Sequence, residues 1–158
     1  MIDALQDFAS SLPAFLQWFG VMVVAAIPFV ESYFGSVIGV LIGLPTALAI
    51  GVAIIGNIVS MLIFVLTAHG VRGKVVAGKK EPTAESPRRE KLRRSFDKYG
   101  VAGVSLLGQT ILPSQITSAA MVSFGANRNV VIVWQVISIV LWGVVFGVLA
   151  TLGVSLAR

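Results

Sequence analysis

From Phe8 to Ala68 the chain runs for sixty-one residues with one formally charged side chain, Glu31, three residues after Pro28. Polar and helix-breaking positions divide this run and the rest of the chain into elements. Residues 1–19 read as an amphipathic helix, interrupted at Pro13. Leu5, Phe8, Leu12, Phe15, Leu16 and Phe19 share one face by three- and four-residue steps, and Asp3, Asp7, Ser10 and Gln17 share the other. With Trp18 near its end, this segment is expected to lie in the headgroup plane. Residues 20–44 are apolar but broken by Pro28, Glu31 and Ser32. Gly35, Gly39 and Gly43 come next at four-residue spacing, a face that would let another backbone approach closely. Residues 46–69 hold an apolar stretch long enough to span a bilayer, with Asn57 and Ser60 inside it.

The second part of the chain repeats this plan after a basic interlude. Residues 70–99 read as a loop followed by a surface helix that starts at Ser86 and Pro87, with Leu92, Phe96 and Tyr99 as a narrow apolar stripe among Arg and Lys. Such a helix suits an anionic leaflet. Residues 100–126 are apolar at both ends and polar between, at Gln109, Thr110, Pro113, Ser114, Gln115, Thr117 and Ser118. Residues 130–157 form a long apolar span with Gln135, Ser138 and the pair Gly143 and Gly147. Asn57 and Gln135, amides within apolar stretches, are expected to hydrogen-bond between helices.

Composition narrows the class. Apolar residues make up 56% of the chain, charged residues 12%, and the mean hydropathy is +0.92. The absence of cysteine excludes disulfides and thiolate metal sites, and the single histidine and scattered acids offer no metal constellation. No nucleophile has an organised base, so no enzyme is expected, and no cofactor. The start carries Asp3 and Asp7 ahead of any Lys or Arg, unlike the basic opening of a secretory signal. Of the twelve basic residues, ten lie between Arg72 and Lys98. Flanked by apolar stretches, that block reads as a cytoplasmic loop under the positive-inside rule rather than as a nucleic-acid surface.

The two parts also open alike, on Phe19-Gly20-Val21 and Tyr99-Gly100-Val101, and each breaks at a proline before ending in an uninterrupted span. Paired Pro-interrupted segments point to a transporter binding site. Two topologies satisfy the pattern. In one, 20–44 and 100–126 are re-entrant hairpins and only the long stretches cross, which makes the halves an inverted repeat. In the other, all four segments cross. The polar middle of 100–126 favours hairpins, because it is poor material for a lipid-exposed span.

Ile27-Pro28-Phe29-Val30-Glu31 resembles the Pro-x-x-Glu element that opens the core of the DedA superfamily, a group that includes the small multidrug export proteins. Phe96-Asp97-Lys98-Tyr99-Gly100, followed by Ile111-Leu112-Pro113, resembles its second element. The resemblance covers residues 19–157. It implies two facing re-entrant hairpins, each followed by a span, and a role in proton-linked transport or phospholipid movement. One departure stands out. Members usually carry an arginine shortly after the second proline, whereas this chain reads Ser114-Gln115-Ile116-Thr117 and has no Lys or Arg before Arg128, which weakens any inference of a phosphate-headgroup substrate.

The expected fold is therefore an all-α integral membrane protein. It comprises two Pro-broken re-entrant helical hairpins, each followed by a transmembrane helix, in a pseudo-inverted repeat. A charge inside a bilayer costs about 2.5–3.5 kcal/mol on insertion scales, so an intramembrane acid points to function. Glu31 is expected to bind protons at a helix start created by Pro28. Thr110, Pro113, Ser114, Gln115 and Thr117 are expected to line an opposing half-site. The expected function is a small DedA-like proton-coupled transporter in the inner (plasma) membrane, multi-pass and with its basic loop cytoplasmic. Its partners are membrane lipids, a small-molecule or lipid substrate and a second copy in a homodimer, with no nucleic acid. The alternatives are a phospholipid or polyprenyl-phosphate flippase or scramblase, and a non-transporting membrane scaffold.

Overall fold

The computed structural model describes residues 2–77, 87–108 and 111–157, and every regular element among them is helical. In chain order the α-helices are α1 (Ile2–Ser11), α2 (Gln17–Ala25), α3 (Glu31–Leu41), α4 (Thr46–Ala77), α5 (Pro87–Gly108), α6 (Ser114–Phe124) and α7 (Arg128–Leu156). Prolines mark several of the boundaries. Pro13 lies between α1 and a short 3-10 turn at Ala14–Leu16, Pro28 between α2 and α3, Pro45 before α4 and Pro113 before α6. Each lacks an N–H to extend a preceding helix and pushes the residue before it away from helical geometry.

Among the described residues two helices are long and apolar enough to cross a membrane. Thr46–Ala68 within α4 has 23 residues and Arg128–Leu156 has 29. At ~1.5 Å per residue these are about 35 and 44 Å long, against a hydrocarbon core of about 30 Å. Ile55, Val59, Ile63 and Leu66 lie three or four residues apart on α4, each more than half exposed. Val133, Ile137, Leu141, Val148 and Leu152 form a similar exposed stripe on α7. Apolar stripes of this length suit lipid rather than water.

The chain divides into two compact units, residues 1–60 with 139–158, and residues 61–138. In the first, α2 and α3 pack against each other and α1 packs on α2. Ala9, Val21, Val24, Val30, Ile38 and Ala53 are buried at its core. Small residues set the spacing. A Cβ on Gly35 would meet Ala25 and Ala53, one on Gly39 would meet Ala49, and one on Gly56 would run into the Met22 carbonyl oxygen. On the other side, Gly143 and Gly147 accept Ser32, Ser36, Ile50 and Ile54 at the closest approach the backbone allows. Gly43 behaves differently from Gly35 and Gly39, although their spacing suggests one shared packing face. It lies past the end of α3 at φ +91° with open space around it. Its N–H donates to Val40 O, and the Leu44 N–H donates to Gly39 O, which closes the helix.

The N-terminal segment is two helices rather than one. α1 ends at Ser11, and residues 17–19 begin α2. Pro13 accounts for the break. Phe8, Phe15, Trp18 and Phe19 stay exposed on this segment.

In the second unit α5 packs against α6. α5 is kinked at Gly100 (φ +67°, ψ −172°), so residues 87–99 form a separate basic arm. Leu92 of that arm is buried, and the Phe96 ring lies 6.2 Å from that of Phe124, with the Arg93 guanidinium 5.8 Å from the same ring. The stripe expected to rest on lipid is thus largely taken up by protein. Arg94, Lys91 and Lys98 remain exposed, and Arg94 pairs with Glu90 one turn earlier. Residues 70–77, expected as loop, continue α4 to Ala77. No proline interrupts the chain between Pro45 and Pro82, so the helix has nothing to stop it at the end of the apolar stretch.

Candidate functional site

Glu31 is the first residue of α3 and is fully buried in the first unit. Residues 26–30 reverse the chain around Pro28, and the N–H groups of Val30 and Glu31 both donate to the Ile27 carbonyl, at 3.1 and 3.3 Å. Phe29 (φ +74°) and Glu31 (φ +56°) are both left-handed, and neither is glycine. For L-residues that conformation costs roughly 1–2 kcal/mol each. Strain of this kind survives only where surrounding packing imposes it, and it concentrates at functional positions.

The surroundings of the acid are fixed by hydrogen bonds and rings. Ser32 Oγ donates to Ile139 O at 2.8 Å, and Ser36 Oγ donates to Ser32 O at 2.6 Å, so α3 is tied to the middle of α7 one residue beyond the carboxylate. Tyr33 and Phe34 stack at 4.8 Å. Phe146 lies 5.5 Å from Tyr33, with Trp142 a further 6.0 Å along. A carboxyl held in such packing has given up its contact with water, which costs free energy unless other polar groups replace it.

In the second unit Pro113 is the residue before α6, in an extended conformation (φ −56°, ψ 144°), and Ser114, Gln115, Thr117 and Ser118 are all fully buried. Three of their hydrogen bonds are local. Ser118 Oγ donates to Gln115 O at 3.0 Å, Ser114 Oγ to Gln115 Oε1 at 3.4 Å, and Thr117 Oγ1 to Leu112 O at 3.4 Å. The structure therefore places Pro113, Ser114, Gln115 and Thr117 in one unit and Glu31 and Pro28 in the other. Thr110 lies outside the described residues.

Three residues of this interior carry more than their sequence context suggests. Ser105 and Ser138 are fully buried, and Ser138 Oγ donates to Ser105 O at 2.7 Å, joining α7 to α5. Gln135, expected to bridge helices, is also fully buried, yet neither end of its amide is hydrogen-bonded. Gln135 and Ser138, three apart on an apolar helix, were a visible signal. Ser105 was not, because one serine among small apolar residues is ordinary. Ser32 and Ser36, four apart beside Glu31, could have been read as one face. Among the described residues no cluster of His, Cys, Asp and Glu is positioned to hold a metal ion. Compared with protein-family models, with curated proteins and with solved structures, the chain finds no match.

Proposed function

We propose that the chain is a small multi-pass membrane transporter of the DedA-like type, driven by protons, with Glu31 as the proton-binding carboxylate. The observation that carries this reading is the buried acid at the start of α3, set on a backbone with two left-handed non-glycine residues within three positions. A structural acid needs no such strain, and burying it costs stability. Pro28 supplies the break in the helix that leaves Glu31 at its start.

The neutral hydroxyls and amide at Ser114, Gln115 and Thr117 suit a polar substrate group without formal charge. Pro113 frees the first turn of α6 from a preceding helix. The pairs α2–α3 and α5–α6 are read as re-entrant, with α4 and α7 as the crossings and residues 70–99 on the cytoplasmic side. Two crossings enclose little volume, so the working form is proposed as a homodimer.

The test is Glu31→Gln in proteoliposomes. Glutamine keeps size and hydrogen-bonding capacity and removes the exchangeable proton. Gradient-driven uptake should fall to the level of empty vesicles while insertion and thermal stability hold. Uptake at the wild-type rate under a proton gradient removes Glu31 from the mechanism. Lipid movement without any gradient would favour a scramblase instead.

A further inference from the structure

The second unit contains a buried polar seam with too few partners. Gln135 can make four hydrogen bonds through its amide, two as donor and two as acceptor. It is fully buried on α7, and both amide atoms are without a partner among the described residues. Ser105 Oγ on α5 is equally buried and equally without a partner. The two helices meet here, because Ser138 Oγ donates to the Ser105 carbonyl and Ser138 is one turn from Gln135 on the same side of α7. Side chains at this seam are packed too tightly to touch solvent. A native interior satisfies nearly all such groups, so orphaned ones call for an explanation.

Two explanations are open to a buried, unpaired amide. The helices could tolerate it as a permanent cost, or the arrangement could be one of two, the other of which satisfies it. The composition of the chain argues against tolerance. Apolar side chains are plentiful, and a methionine or leucine would fill the Gln135 position without an orphaned group. Among the described residues a hydroxyl-to-carbonyl bond, from Ser138 to Ser105, joins the two helices at this seam. Opening it would expose one amide and two hydroxyls to hydrogen-bonding partners.

We infer that the α5–α7 seam is the closed form of a polar passage, which opens to admit water to Ser105 and Gln135. The groups are neutral and offer both donors and acceptors, so the guest they match is a small uncharged molecule of the same kind. Water fits, and a polar solute could later exchange with it partner for partner. Glu31 belongs to the other unit and has no part in this opening, so either proposal can fail alone.

The absence of cysteine from the chain makes the test direct. A single cysteine at Ser105→Cys in proteoliposomes is exposed to a membrane-impermeant methanethiosulfonate. Met121→Cys serves as an equally buried apolar control and Leu107→Cys as an exposed apolar one. Only an ionised thiol reacts, and a thiol shut in apolar surroundings stays protonated, so opening should make position 105 react at least about tenfold faster than either control. Adding Gln135→Met to Ser105→Cys removes the unpaired amide, favours the closed seam and should slow labelling at 105 while raising Tm. A rate at 105 no higher than the controls would overturn the inference. So would labelling at 105 that ignores Gln135→Met, since the amide would then have no part in opening.

Discussion

The second helices of the pairs α2–α3 and α5–α6 end by the same device and begin by different ones. α3 and α6 each have 11 residues, and each is followed by a left-handed glycine, Gly43 at φ +91° and Gly125 at φ +111°. In both, the glycine N–H and the next N–H return to carbonyls of the last turn. The N-terminal ends differ. Pro28 sits within the turn that leads into α3, and Glu31 starts the helix in a left-handed conformation. Pro113 is itself the cap of α6, extended and unstrained, and the helix opens on serine, glutamine and threonine at positions 114, 115 and 117. A C-terminus has only to satisfy carbonyls, for which glycine is sufficient. An N-terminus is where unbonded N–H groups collect, so it is the end that can host chemistry. The first unit puts a carboxylate there and the second puts neutral hydroxyls.

The sharpest break of that comparison would come from removing the charge on one side only. Glu31→Gln should abolish gradient-driven uptake and its pH dependence. Ser114→Ala should change the substrate concentration for half-maximal rate and leave the pH dependence in place, as uptake measured across a pH series would show. Equal loss of pH dependence in both variants would make the starts of α3 and α6 functionally alike.

Topology comes next. If the pairs are re-entrant, reporters fused at Arg158 and inserted within residues 79–85 fall on opposite sides of the membrane. Both reporting the cytoplasm would mean four crossings and would end the inverted-repeat reading.

Packing separates the units on a smaller scale. Gly56→Ala in the first unit drives a methyl into the Met22 carbonyl and should destabilise by about 1–3 kcal/mol. Gly108→Ala in the second meets only ordinary contacts at 3.6 Å and should stay within about 0.5 kcal/mol of wild type in thermal unfolding.

Backbone strain gives a finer contrast. Gly125→Ala should cost ~1–2 kcal/mol, because alanine resists the left-handed region, and Phe29→Gly should return up to ~1 kcal/mol. A gain of stability at 29 coupled to a loss of uptake would tie the strain ahead of α3 to its work.

A small effect is also expected at the basic arm. Arg93→Gln removes a cation from the face of Phe124 and should lower stability by about 0.5–1 kcal/mol, with binding to anionic vesicles reduced only slightly in a flotation assay.

Much of the helical framework could be read along the chain. Apolar runs of the length of 46–68 and 130–157 are long enough to span a bilayer as helices, and prolines at 13, 28, 45 and 113 fall where helices are separated in the structure. The charge pattern also singled out Glu31, because a lone acid in sixty-one residues has no other reading as conspicuous. What the pattern could not give was the state of each polar residue. Nothing local distinguishes Gly43, which closes α3, from Gly39, which packs against Ala49; only the end of the helix assigns them different jobs. Leu92 and Phe96 formed a stripe that any apolar surface could cover, and the nearness of Phe124 decided that protein covers it. The same holds for Gln135. An amide in an apolar helix announces that hydrogen bonds are required. Whether they are made depends on which side chains arrive from distant parts of the chain, and that is settled only by the tertiary packing.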